Sequence, residues 1–137
     1  MTAGEVFVET AELLAGFPDV FQYHRDASPS TVSLVPALEA ASPETRTEAV
    51  AKVSEALRAS GHVVGWRDEL VSVTSSFGTP PLFNMERAAY PLMGIAGYGV
   101  HINGFVKDPA APGGLKLWVA TRSFDKVPNE VIRLQMP

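Results

Sequence analysis

One amphipathic helix constrains the fold of this chain more than any other part of its sequence. Ser42 can cap the helix with its hydroxyl, Pro43 sets φ at the first position, and Glu44 complements the positive end of the helix dipole. Charged residues take one face as far as Gly61, the expected end, and the other face carries the apolar residues Ala49, Val50, Val53, Ala56 and Leu57. A helix with one apolar stripe must cover another layer, so the sequence predicts a helix over residues 43–60 packed on a sheet.

Short β-prone runs surround this helix. Residues 19–24 and 31–35 flank a six-residue turn-forming segment, 25–30, and predict a hairpin. Residues 70–74 alternate in the manner of a half-buried strand. Near the end of the chain, a Pro- and Gly-rich connection joins residues 98–107 to residues 115–122 and predicts a second hairpin.

The remaining segments give weaker patterns. Residues 5–15 predict a helix that Gly16 and Pro18 end, and residues 82–89 fit either a strand or a short helical turn. Residues 127–137 predict an irregular tail or one last edge strand. We therefore expect the α+β class, with a mixed or antiparallel sheet of about five or six strands and one main amphipathic helix on a face.

Composition narrows the function classes. A chain of 137 residues with 46% hydrophobic content can bury one core, which predicts a single compact domain over residues 1–137. The net charge of −4 and the scattered basic residues disfavour nucleic acid as a partner. Since the chain has no cysteine, it has no disulfide framework, thiolate zinc site or cysteine nucleophile. Without a run of about twenty apolar residues we expect no membrane span, and a soluble protein of the cytoplasm or an organelle interior.

The residues that could carry chemistry are few and dispersed. His24, His62 and His101 are isolated, and an ordinary hydrogen-bonded or exposed histidine is the favoured interpretation of each, although His101 falls in the middle of a predicted strand. The segment 67–69 and the Glu86-Arg87 pair could contact a phosphorylated ligand or form local salt bridges on solvated turns. The aromatic residues that could form a wall for a flat heterocycle, or alternatively pack in the core, are Trp66, Phe77, Phe83 and Tyr98.

Five blocks of sequence resemble one protein family. They lie in register between about Pro18 and Lys126, and the most specific is Tyr98-Gly99-Val100-His101-Ile102-Asn103-Gly104; the others are residues 65–69, 77–83, 86–89 and 117–123. Together they resemble the Nudix hydrolases that carry an uncharacterised N-terminal domain, a group that includes plant plastid enzymes and the Nudix part of fungal thiamine pyrophosphokinases. The resemblance implies that residues 1–90 are the later half of the accessory domain and that residues 91–126 are the first strands of a Nudix sandwich. It also implies a diphosphatase acting on thiamine diphosphate or its damaged analogues.

The acidic helix of that family has no counterpart in this sequence. In the family, the segment matching residues 123–126 leads on to the Nudix helix, whereas this chain continues with Pro128-Asn129 and ends at Pro137. Diphosphate hydrolysis needs divalent cations held by several carboxylates, and the glutamates of the main predicted helix alternate with basic residues. We therefore expect a chain truncated before the Nudix box, an incomplete sandwich, and no catalytic or metal residues.

Two functions remain open at this point. The first is a catalytically incomplete Nudix-related protein that acts as a binding or structural module, with no cofactor. The second is a diphosphatase acting on thiamine diphosphate or related nucleoside-diphosphate-like substrates, using Mg²⁺ or Mn²⁺ and carboxylates completed by a partner. If a ligand binds, the resemblance points to Arg67, Glu69, Arg87, His101 and Asn103. Exposed edges of the hairpin at residues 98–122 predict that it joins the accessory sheet or pairs in a homodimer or host complex.

Overall fold

The computed structural model describes residues 3–119, which form two compact units. Unit 1 runs as far as Tyr98, and unit 2 begins at Gly99. Unit 1 contains three helices and four strands: α1 (Val8–Ala15), β1 (Phe21–His24), β2 (Thr31–Leu34), α2 (Pro36–Glu39), α3 (Pro43–Ala59), β3 (Leu70–Val73) and β4 (Phe83–Glu86). Unit 2 contains the strands β5 (Phe105–Lys107) and β6 (Leu115–Leu117), joined through a 3-10 turn at Pro112–Gly114. The predicted tail at residues 127–137 lies outside the described residues.

The α+β class is confirmed, with all described strand pairs antiparallel. The strands are distributed over three two-stranded sheets, β1–β2, β3–β4 and β5–β6, rather than joined in one larger sheet. The reason within unit 1 is that each pair has its own covering helix. The helix α1 packs on β1 and β2, while α3 packs on β4. The amphipathic helix thus covers a sheet, as its apolar stripe predicted.

The helix α3 begins as the sequence predicts, and Val50, Val53 and Leu57 of its predicted apolar face are buried, whereas Ala49 is partly buried and Ala56 is exposed. Ser42 is its N-cap, and the Ser42 Oγ accepts a hydrogen bond from the Thr45 N–H at 3.3 Å. Its apolar stripe packs against β4 and shares one buried cluster with Val73 of β3. The buried core cluster consists of Leu14, Val50, Val53, Leu57, Val63, Val73, Phe83, Met85, Ala89 and Met93.

The first predicted helix is shorter than expected, because the chain ahead of it is used otherwise. Instead of starting at Glu5, the helix α1 starts at Val8. Gly4 forms an antiparallel bridge with Ile95, and the Glu5 N–H donates to the Gly94 carbonyl at 2.8 Å. A Cβ on Gly4 would lie 1.8 Å from the Gly94 oxygen, so only glycine permits this approach.

The first hairpin follows the sequence prediction closely. Strands β1 and β2 flank residues 25–30, and Phe21 pairs with Leu34 while His24 pairs with Thr31. The run at residues 70–74 forms β3, and the ambiguous run at residues 82–89 resolves into β4 followed by a turn. Since Phe83 and Met85 both point into the core, the period of two is present there but is interrupted by the buried Glu86.

The hairpin of unit 2 is shorter than predicted. Strands of three residues replace the predicted residues 98–107 and 115–122, of which 120–122 lie outside the described residues. Phe105 pairs with Leu117, and one further bond runs from the Trp118 N–H to the Gly104 carbonyl at 2.8 Å. The turn is held by Asp108, which accepts a hydrogen bond from the Ala110 N–H at 2.9 Å and pairs with the Lys116 ammonium. That ammonium is the main cause of the lowered pKa of Asp108.

The prediction that this hairpin joins the accessory sheet is wrong for the described residues, since β5 and β6 form a sheet of their own. Pairing with a second chain stays a prediction, as does the single compact domain over residues 1–137. Within residues 3–119, no helix combines the length and apolar character needed to cross a bilayer.

Candidate functional site

A buried carboxylate organises the end of the β3–β4 sheet. Glu86, the last residue of β4, is only 4% exposed. Its Oε1 accepts hydrogen bonds from the main-chain N–H groups of Arg67 at 3.1 Å and Ala88 at 3.0 Å, and its Oε2 accepts one from Glu69 at 3.2 Å. A buried charge is tolerated when such donors surround it. Glu86 therefore fixes the loop before β3 against the turn after β4.

That loop places a second carboxylate beside an arginine. Arg87 donates from Nη1 to both carboxylate oxygens of Glu69, each at 2.9 Å, and its main-chain N–H donates to the Glu69 carbonyl at 2.8 Å. Both side chains are about half exposed, at 53% for Arg87 and 52% for Glu69. The pair is therefore accessible to a ligand, and solvent screening makes its own contribution to stability small.

Arg87 also lines a groove of about 520 Å³. Its lining comes from strand β3 and the segment after it, and also from the segment between Arg87 and Tyr98. The complete lining is Val71, Ser72, Thr74, Phe77, Gly78, Arg87, Tyr90, Pro91, Gly97 and Tyr98. Hydroxyl, guanidinium and aromatic groups thus meet around one open depression, which is the composition of a recognition surface.

Two exposed aromatic rings stand at this groove. The ring centroids of Phe77 and Tyr98 are 5.4 Å apart with the planes tilted by 60°, and the two residues are 76% and 56% exposed. This geometry is a favourable edge-to-face arrangement. Of the four aromatic residues considered for a wall, these two line the groove, whereas Phe83 belongs to the core and Trp66 packs against it beneath the Arg58 guanidinium.

Tyr90 fixes the wall that carries Tyr98. Its hydroxyl donates to the Ala96 carbonyl at 2.8 Å, and the Ala96 N–H donates to the Ala3 carbonyl at 2.9 Å. Burial, and to a smaller extent the neighbouring Tyr98, raises the pKa of Tyr90. The backbone at Ala96, two residues before Tyr98, is therefore bonded both to the Tyr90 side chain and to the backbone of Ala3.

The structure brings together only some of the residues that the resemblance pointed to. Glu69 and Arg87 meet directly, and Arg67 joins them through its main-chain N–H to Glu86 while its side chain is exposed. His101 and Asn103 belong to unit 2, where both are exposed. The prediction that His101 lies in the middle of a strand is wrong, because β5 begins at Phe105.

Two of the three histidines have ordinary hydrogen-bonding roles. His24 Nε2 lies 3.2 Å from the Ser33 Oγ across the first hairpin, and His62 Nδ1 lies 2.9 Å from the Ser60 Oγ. The interpretation of these two as ordinary hydrogen-bonded histidines is confirmed.

The sequence analysis missed the role of Glu86. A solvated salt bridge describes Glu69 and Arg87 well, but Glu86 is buried and bonded to the main chain. The sequence signal for a buried Glu86 was its position at the end of a strand, directly after Met85 and in a run that also contains the apolar Phe83. Arg46 was also missed: its guanidinium donates to the carbonyls of Leu38, Glu39 and Leu82 and so joins α2 to the start of β4.

The carboxylates of this site do not fit a divalent cation. Mg²⁺ and Mn²⁺ need several oxygen ligands free of competing donors. Both oxygens of Glu86 face main-chain N–H groups, and those of Glu69 face a guanidinium. Within residues 3–119, no group of three or more His, Cys, Asp or Glu side chains could hold a metal.

The sequence of unit 1 matches one known family. Residues 1–97 match the family described as "Domain of unknown function (DUF4743)", which is more than half of the chain. The α+β unit with its groove is therefore a DUF4743 domain, and the chain belongs to that family. The match ends next to Tyr98, where unit 1 also ends.

Individual relatives connect the chain to Nudix hydrolases. It is 40% identical over 126 residues to Nudix hydrolase 20, chloroplastic, of Arabidopsis thaliana, covering 90% of this chain and 33% of that protein. It is 38% identical over 113 residues to Nudix hydrolase 24, chloroplastic, of the same plant, covering 82% of this chain and 29% of that protein. An uncharacterized protein of Saccharomyces cerevisiae is 41% identical over 64 residues, 47% of this chain and 18% of that protein.

These matches confirm the resemblance of the chain to plant chloroplastic Nudix hydrolases. The chain spans about a third of the length of the two plant relatives.

Proposed function

We propose that this chain is a recognition module of a Nudix-related protein, which binds a partner or ligand and does not itself cleave diphosphates. The observation that carries the proposal is the groove in unit 1, where Arg87 and the Phe77–Tyr98 pair present binding groups. The two carboxylates next to it are engaged with main-chain N–H groups and with Arg87. Because these donors repel cations, the site suits binding better than metal-dependent hydrolysis.

A second candidate function is a diphosphatase acting on thiamine diphosphate or related nucleoside-diphosphate-like substrates. It is favoured by the names of the two plant relatives, which are Nudix hydrolases. On this proposal Mg²⁺ or Mn²⁺ would be held by carboxylates other than Glu69 and Glu86, with a partner completing the set.

One experiment separates the two candidates. The purified chain is incubated with Mg²⁺ or Mn²⁺ and a panel of diphosphates that includes thiamine diphosphate, and released phosphate is measured. We expect no metal-dependent release above a buffer control. Turnover that needs the metal and disappears with a chelator would reject the recognition proposal.

We further propose that the hairpin of unit 2 pairs with a second copy or a host protein. Its exposed apolar side chains support this, since Phe105, Leu117 and Trp118 are 59%, 67% and 76% exposed. Light scattering on the full chain tests the proposal at the homodimer level, and native mass spectrometry of material from the source cell tests a host complex. A free monomer in both would reject it.

The cytoplasm or an organelle interior is the proposed location. Both plant relatives are named as chloroplastic proteins, which supports an organelle interior. Imaging of a fluorescent fusion, read against organelle markers, tests this, and secretion of the fusion would contradict it.

A further inference from the structure

Strand β3 turns one row of its main-chain groups away from its only described partner strand. In an antiparallel pair, hydrogen-bonded and non-hydrogen-bonded residue pairs alternate, and side chains approach most closely in the non-hydrogen-bonded pairs. Ser72 lies opposite Asn84, and their side chains are joined by a bond of 2.8 Å from the Ser72 Oγ to the Asn84 Oδ1. Three positions before Ser72, the Glu69 carbonyl accepts the Arg87 N–H. Both observations place the odd-numbered residues in the bonded pairs.

The main-chain N–H and C=O of Ser72 therefore face away from β4. The groove borders this outward edge, because its lining includes both Val71 and Ser72, whose side chains point to opposite faces of the sheet, and β4 occupies the other edge. A groove lined in this way follows the edge of a strand rather than one of its faces. From Val71 to Thr74 this edge extends roughly 10 Å at about 3.3 Å per residue.

Part of the groove lining is held in place. Gly97 and Tyr98 belong to the lining, and they follow directly on Ala96, whose carbonyl and N–H are both bonded within unit 1. The groove is therefore an open depression beside a strand edge with a tied segment in its lining. A site held in this way needs little rearrangement to accept a strand, which lowers the cost of binding.

We propose that this groove binds an extended peptide segment that adds a third strand along the edge of β3 that faces away from β4. An extended backbone carries N–H and C=O groups at the spacing that a strand edge presents, and strand addition is a common mode of peptide recognition. The inference rests on the proposed function, because it names the kind of partner that the recognition module takes.

The lining also specifies side chains of the peptide. The hydrogen bonds of the Arg87 side chain in residues 3–119 all leave from Nη1, so its Nε and Nη2 donors can meet an acidic residue. The rings of Phe77 and Tyr98, both largely exposed, can pack on an aromatic or aliphatic residue. The partner is therefore an extended segment with one acidic and one large apolar residue. A small planar ligand would use the rings but leave the Ser72 main-chain groups unmatched.

The free protein offers the first test. Amide hydrogen exchange followed by NMR should show fast exchange at Ser72 and slow exchange at Val71 and Val73, which bond to β4. Slow exchange at Ser72 in the free chain would overturn the inference. The probes for binding are linear octapeptides selected on the immobilised full chain from a phage-displayed library and then synthesised. Adding a selected peptide should slow exchange at the Ser72 amide at least about tenfold, as expected for a newly formed ladder bond.

Matched variants test whether binding uses the main chain. Ser72→Pro removes the outward N–H without removing a bond to β4, and it should weaken peptide binding at least about tenfold. Ser72→Ala keeps that N–H and loses only the side chain, so it should weaken binding less than Ser72→Pro does, and equal weakening by the two variants would overturn the inference. Circular dichroism and urea unfolding verify that both variants fold.

The peptide provides a control that does not depend on the folding of a variant. In the bound peptide, alternate main-chain N–H groups face β3. N-methylation of these amides should abolish binding, whereas N-methylation of the intervening amides should not. Equal binding of the two methylated peptides would overturn the inference, as would failure to select any peptide that Arg87→Gln or Tyr98→Ala weakens. Riboflavin 5′-phosphate serves as a small planar probe. If no peptide can be selected while this probe binds and Tyr98→Ala weakens it, the groove is a small-ligand site and the inference is overturned.

The result is distinguishable from failure of the proposed function. Metal-dependent diphosphate turnover would reject the recognition module even if peptides bind. Loss of the strand-addition signature without turnover would reject only the identity of the partner.

Discussion

Replacing Glu86 with glutamine tests whether a buried carboxylate holds the groove-bearing sheet together. The parent carboxylate accepts three main-chain N–H groups. Glutamine can keep the two bonds at the Oε1 position, but its amide nitrogen then faces the Glu69 N–H, so two donors oppose each other. The variant loses one charge-assisted bond, worth about 1.5–3 kcal/mol, and leaves a partly buried donor unsatisfied at about 1–3 kcal/mol. We expect a loss of about 3 kcal/mol in the free energy of unfolding.

Urea unfolding measures this loss. With a slope of about 2 kcal/mol per molar urea, the midpoint should fall by about 1.5 M at unchanged slope. The control is Glu48→Gln, which removes the same charge from an exposed position on α3 and should change stability by no more than about 0.5 kcal/mol. If the two variants unfold at the same midpoint, the carboxylate does not support the loop and the reasoning fails.

Three further predictions concern other contacts of unit 1. Arg46→Met removes three bonds to carbonyl oxygens and should cost about 2–3 kcal/mol in urea unfolding, whereas Lys52→Met at an exposed site of α3 should cost almost nothing. Gly4→Ala places a Cβ against a carbonyl oxygen at 1.8 Å and should lower the melting temperature, while Gly99→Ala, with nothing within 4 Å, should not; equal melting temperatures would contradict the close approach. The pKa of Tyr90 is raised in the folded state, so the contribution of Tyr90 to stability is fully present below the unfolded-state pKa near 10 and is lost as pH rises through the folded-state pKa. Above pH 10 the urea midpoint should therefore fall more steeply with pH in the parent chain than in Tyr90→Phe. Parallel curves for the two proteins would refute this prediction.

The parts of the fold that depend on local chemistry could be predicted from the sequence. The helix α3 carries its cap and its stripe within a single segment, and the first hairpin is marked by its turn residues. Periodicity does not report which strands pair, so a single sheet was as consistent with the pattern as the three separate pairs observed. The bridge from Gly4 to Ile95 joins residues far apart in sequence, and no local pattern announces it.

The candidate site was also predictable only in part, because its residues are recognisable in the sequence but their burial and pairing depend on packing. The resemblance concentrated attention on the segment around Arg67, Glu69 and Arg87, and the structure places these residues at one end of the β3–β4 sheet. The sequence did not indicate which acidic residue of this segment is buried and which is exposed. Glu86 and Glu69 are both acidic, yet one is buried against main-chain donors and the other is half exposed beside Arg87. That difference depends on burial, which only the packed structure defines.

The bridge between Gly4 and Ile95 brings the start of unit 1 next to its last turn. A segment whose two ends coincide in space can be grafted into a loop of another protein with short linkers, because neither end has to be stretched to reach the host. The length of the inserted segment matters little, because the conformational entropy lost by holding its two ends together grows only with the logarithm of the number of residues between them. The stretch from Gly4 to Ile95 thus has its two ends side by side and could be inserted into a host loop as one piece.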